Sequence, residues 1–90
     1  MSKQKKSIKT RIKNYFEEKK LNLKFKMAKY EVDKLIEENL KLIKDIEKIE
    51  CNSDEWKATR AIIDANYEEI DVFLKLMDRY SDKIVELYKN

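Results

Sequence analysis

The sequence predicts an all-α protein: an antiparallel, coiled-coil-like helical hairpin with a shorter basic N-terminal helix, closing as a three-helix bundle or a dimeric helical bundle. Three observations predict it. The 90 residues include neither Gly nor Pro, so the positive-φ turns of tight β-hairpins are hard to build. With 43% charged and 42% hydrophobic residues, the chain has the balance of long amphipathic helices and too many large apolar side chains for disorder. Apolar residues also recur at steps of three and four over most of its length. Ninety residues make one domain. Its expected parts are a basic arm or helix over 1–22, a helix over 25–50 and a helix over 54–89.

The N-terminal part has a stripe of its own. Ile8, Ile12, Tyr15, Phe16 and Leu23 recur at helical spacing, but Ile12, Phe16 and Leu23 face away from the later apolar seam when its register is extended backwards. The apolar face therefore has to rotate near residues 19–24. A kink or break is expected there, leaving a separate first helix over about 5–20.

From Phe25 onward the steps are regular. Phe25, Ala28, Val32, Leu35, Asn39, Leu42, Ile46 and Ile49 alternate steps of three and four, which is the a/d seam of a heptad helix. Ile36 and Ile43 widen the stripe. Asn39 is the polar member, and a buried Asn in such a seam fixes register or oligomeric state by pairing with another polar group. Arg60 and Ser81 are the expected counterparts.

A turn follows at Cys51, Asn52, Ser53, Asp54 and Glu55. Asn52 or Ser53 can cap the last helix, and Asp54 and Glu55 suit its positive start. With Asn52 as cap, Cys51 and Trp56 would form a hydrophobic staple. In the last helix the heptad runs Trp56, Arg60, Ile63, Tyr67, Ile70, Leu74, Met77, Ser81, Ile84 and Tyr88. Phe73, Tyr80 and Leu87 lie on one flank, and Asp64, Asp71 and Asp78 on the other. A weaker stripe of Ala58, Ile62, Ala65, Val72 and Leu76 runs down the back of this helix, where the first helix or another chain would cover it.

The functional signal is charge. Residues 1–30 hold eleven Lys/Arg against two Glu, and residues 31–90 hold ten against sixteen Asp/Glu. Such asymmetry marks a basic arm for an anionic partner on an acidic body. Lys3, Lys5, Lys6, Lys9, Arg11, Lys13, Lys19 and Lys20 are the candidate nucleic-acid contacts, since neutralised phosphates release counterions without base-specific geometry. Lys in place of Arg argues against sequence-specific readout. A membrane surface is not expected as partner, because the apolar face of the arm is short and lacks Trp. The acidic ladder reads as a solvated flank paired with Lys34, Lys41 and Lys48. A di-iron arrangement would need histidine, and the chain has none.

The same lack removes Ser-His and Cys-His catalysis, so no enzyme and no cofactor is expected. Single Cys51 cannot form an internal disulfide, and no signal-peptide h-region precedes the helices. A cytoplasmic location is expected. Lys outnumbers Arg 18 to 3, pointing to an AT-rich genome such as that of a low-GC bacterium or its phage or plasmid. In this composition, and without any motif, the chain resembles short Lys-rich helical proteins of phages and plasmids, including transcription regulators and anti-CRISPR-type inhibitors. The expected function is a protein–protein interaction module that regulates or inhibits a larger complex and forms a homodimer. Asn39, Trp56, Ile62, Tyr67, Val72, Phe73, Leu76, Tyr80 and Tyr88 are its candidate interface. A small nucleic-acid-binding protein and a structural coiled-coil tether are the alternatives.

Overall fold

The computed structural model describes residues 7–89, and these are all-helical apart from caps and one connection. Two helices, α1 (Ile8–Ile46) and α2 (Asp54–Leu87), pack against each other. Lys3, Lys5 and Lys6 lie outside the described residues.

Helix α1 starts at Ser7, whose hydroxyl accepts from the Thr10 backbone N–H at 3.1 Å. It then continues for 39 residues. The separate first helix expected over about 5–20 is therefore not a separate element, and residues 19–24 are helical without a break. The reason lies in the packing face. Carried back from Phe25, the three-and-four stepping passes through Leu21, Glu18 and Asn14, and these, with Glu17 beside Glu18, are the residues of this stretch that are buried or half-buried. Leu21 supplies the apolar burial. Asn14 donates to the Leu87 carbonyl at 3.0 Å, and Glu18 accepts from the Tyr88 hydroxyl. The seam continues with polar members, and the stripe of Ile8, Ile12 and Phe16 stays outside, exposed.

Residues 47–53 connect the helices. Asn52 takes φ 66°, the left-handed region that Asn tolerates better than most residues because its short polar side chain bonds locally. In a chain without Gly it does what Gly does elsewhere. Asn52 is thus spent on the turn, and Ser53 caps α2 by accepting from the Trp56 N–H at 3.2 Å. Moving the cap one residue on removes the expected staple, and Cys51 is exposed. Asp54 and Glu55 occupy the first turn of α2, where carboxylates favour the positive helix end.

The two helices run in opposite directions. Asn14 near the start of α1 meets Leu87 at the end of α2, and Asn39 meets Ile63 and Asn66. The result is a rod of 71 × 20 × 14 Å. Its core is thin: Leu21, Ala28 and Val32 from α1 with Ile63 and Ile70 from α2, plus the polar pair Asn39 and Asn66.

The α2 register differs from expectation. Its packing face steps Trp56, Thr59, Ile63, Asn66, Ile70, Phe73, Met77, Tyr80, Ile84, Leu87, all buried or half-buried. Thr59 and Asn66 hold the places given to Arg60 and Tyr67. Arg60, Tyr67, Leu74, Ser81 and Tyr88 are exposed on the flank. Neither Arg60 nor Ser81 serves Asn39. Asn66 does, donating from Nδ2 to Asn39 Oδ1 at 2.8 Å and to Glu38 Oε2 at 2.6 Å, while Asn39 Nδ2 donates to the Ile63 carbonyl at 3.2 Å. No buried side-chain polar atom among the described residues lacks a partner.

Candidate interaction surface

Helix α1 carries a second apolar face. At 3.6 residues per turn, Ile8, Ile12, Phe16, Leu23, Met27 and Tyr30 fall in one sector about 100° wide, on the opposite side from Leu21, Phe25, Ala28 and Val32. All six are exposed, Met27 and Tyr30 each at 62%. Lysines border the strip. Lys19 lies over the Tyr15 ring and Lys34 over the Tyr30 ring, each 5.2 Å from the centroid. Tyr15 and Phe16 meet edge to face at 5.6 Å.

Beside this strip the helix pair opens into a groove of about 550 Å³. Its floor and walls are Met27, Ala28 and Tyr30 of α1 and Phe73, Leu76 and Tyr80 of α2, with Lys24, Lys26 and Glu31 at the rim. The groove has a local cause. Ala28 is the smallest side chain on the α1 packing face, and facing aromatics that are only half-buried leave its level unfilled. A second hollow of about 330 Å³, lined by Glu17, Leu21, Lys24, Lys83, Glu86 and Leu87, lies next along the rod and shares Lys24.

The fold converts the sorting of charge along the sequence into sorting along the rod. At the open end, residues 8–30 and 75–89 hold twelve Lys/Arg against five Asp/Glu, a net of +7. At the turn end, residues 31–74 hold six against thirteen, a net of −7. The groove sits at the boundary. Three exposed ion pairs, Lys29–Asp33 at 3.8 Å, Arg60–Asp64 at 3.2 Å and Lys75–Asp71 at 3.0 Å, all join positions four apart on one helix. Such pairs contribute little to stability. Asp64 and Asp71 are thus held within α2, where Lys34, Lys41 and Lys48 across the seam were the expected partners.

Of the expected nucleic-acid contacts, Lys9, Arg11, Lys13, Lys19 and Lys20 are exposed on α1. Of the expected interface residues, Ile62, Tyr67, Val72 and Tyr88 are exposed, and Phe73, Leu76 and Tyr80 line the groove. Trp56 is half-buried in the first turn of α2. Asn39 is not a surface residue; it is 2% exposed inside the chain's own seam. Among the described residues no third helix covers the back stripe of α2. Met27 and Tyr30 were missed, although the steps from Leu23 to Met27 to Tyr30 extend the same outward strip. Tyr88, bonded to Glu18, has its pKa raised, first by that hydrogen bond, then by desolvation and the nearby carboxylate charge. Among the described residues no three His, Cys, Asp or Glu side chains are grouped to hold a metal ion, and no helix is long and apolar enough to cross a membrane.

Compared with protein-family models, with curated proteins and with solved structures, the chain matches none.

Proposed function

We propose that this chain is a non-enzymatic protein-interaction module: an antiparallel, coiled-coil-like hairpin that regulates or inhibits a larger assembly by docking on it. The observation that carries the reading is the large share of its apolar side chains left in the open. Among the described residues fifteen large hydrophobic side chains are exposed, nearly as many as the seventeen that are buried or half-buried, and only Leu21, Val32, Ile63 and Ile70 of those are fully buried. Soluble monomers seldom leave contiguous apolar strips of this length uncovered, and strips rimmed by charge are typical of contact surfaces. Met, Phe, Leu and Tyr around a shallow groove supply adaptable anchors, and the charged ends steer encounter.

The test is affinity capture from lysate of a low-GC bacterium with wild-type chain and with Leu76→Lys, a groove substitution at a half-buried flank position. Both are first checked for equal helicity. The reading expects a defined protein retained by wild type and released by the variant. Equal capture by both, or none beyond the chain itself, refutes docking of a larger assembly through this surface.

A second reading has one observation in its favour. All eight Lys/Arg of residues 8–30 are exposed at the +7 end, which suits sequence-independent contact with phosphates. It expects DNA or RNA affinity that falls steeply with salt and is lost when Lys3, Lys5, Lys6, Lys9, Arg11 and Lys13 are replaced by Gln. No binding at low salt would end it.

A further inference from the structure

We infer that the groove at the middle of the rod takes a second copy of this chain, aligned antiparallel, so that the +7 end of each copy lies along the −7 end of the other. The inference rests on the interaction-module reading and names one partner of its surface.

Three features lead there. The first is charge complementarity. The neutral point of the rod falls between residues 30 and 31 on α1 and between 74 and 75 on α2, levels brought side by side by the opposed directions of the helices. Met27, Tyr30, Phe73 and Leu76 of the groove are grouped around those levels. A two-fold axis through the groove therefore puts Lys20, Lys24 and Lys83 of one copy along the stretch that carries Glu38 and Glu69 in the other, and the converse. A parallel pairing would stack +7 on +7 and −7 on −7. The second feature is shape. Met27 stands out from α1 at 62% exposure beside a hollow walled by Phe73 and Leu76. A two-fold contact is self-complementary, so each copy offers both the projecting side chain and the hollow that receives it. The third is length. The rod is 71 Å long, so two copies centred on the groove can lie alongside each other over both of their charged halves.

The native cysteine makes the orientation measurable, since Cys51 is exposed at the turn end. Analytical ultracentrifugation of the full chain is expected to show a dimer whose dissociation constant rises at least about tenfold between about 50 and about 500 mM salt. With a spin label on Cys51, the inter-label distance is expected to exceed half the 71 Å length of the rod. Leu76→Lys is expected to keep its helicity and sediment as a monomer. Reversing Glu38 and Glu69 to Lys is expected to weaken the dimer, and adding Lys20→Glu and Lys24→Glu to the same chain to restore it.

A dimer with adjacent labels overturns the antiparallel alignment. A folded Leu76→Lys variant that remains a dimer overturns the groove as the contact. A wild-type chain that stays monomeric overturns the second copy as occupant. Should that monomer still capture a host protein through the groove, the inference fails and the interaction-module reading stands; should it capture nothing through the groove, both fail.

Discussion

The Asn39–Asn66 pair governs the turn-side half of the seam, and Asn66→Ala is the perturbation that exposes its worth. Asn66 is 8% exposed and Asn39 2%. Truncating Asn66 removes the side-chain amide that donates to Asn39 Oδ1, at 2.8 Å. A buried acceptor left without a donor costs about 1–3 kcal/mol, and the deleted amide leaves a small void worth about 1 kcal/mol more. Glu38 loses its bond as well, but its exposed carboxylate turns to water at little expense. The expected total is about 2–4 kcal/mol, a large share of the roughly 5–15 kcal/mol that holds a small domain together. The double replacement Asn39→Leu with Asn66→Leu removes both polar groups at once and buries two apolar side chains instead. It is expected to equal or exceed wild-type stability, since no orphan remains. Urea unfolding followed by far-UV circular dichroism measures each variant, and a double-mutant cycle gives the coupling. If Asn66→Ala falls within about 0.5 kcal/mol of wild type, or the double variant is no better than its worse single, the pair does not hold the seam as argued.

Two further outcomes follow from local geometry. Ser53→Ala takes away the acceptor for the Trp56 N–H, and is expected to lower stability by about 1 kcal/mol, read as a lower urea midpoint with unchanged slope. Tyr88 holds its proton more tightly in the fold than in the unfolded chain, so its contribution to stability is complete below pH 10.0 and is lost as pH rises through its higher folded pKa. Tyrosinate absorbance is expected to show a late-ionising group that disappears in Glu18→Gln; superimposable titrations of the two proteins would contradict the assignment.

How far the sequence could be read depended on whether seam positions were apolar. Phe25, Ala28, Val32, Leu35, Leu42 and Ile46 announce the α1 face by type, and the structure packs that face inward. Thr59 and Asn66 do not announce themselves. Tyr67 and Leu74, apolar but exposed, attracted the register toward themselves and shifted the α2 seam to one side. Asn39 was recognisable as the polar insert, but its partner was not, because donor and acceptor geometry across a helix pair depends on a register that had been set one flank over. The uninterrupted α1 was obscured for a related reason. Ile8, Ile12 and Phe16 form so regular a stripe that burial was expected of them, whereas the inward positions at that level are Asn14 and Glu18, which hydrogen bonds hold in place. Periodicity shows that a face is apolar; it does not show which of two apolar faces turns inward. The groove was beyond reach in the same way, since it arises from the size of Ala28 relative to side chains on another helix.

The thinness of the interior has a mechanical consequence. With each layer of the seam touching only the layers above and below it, the molecule can part progressively from the free end, as a zip does, while the loop at Asn52 keeps the two strips tethered. Separating the two arms at the lysine-rich end thus costs least in the first turns and more with each layer toward the asparagine pair.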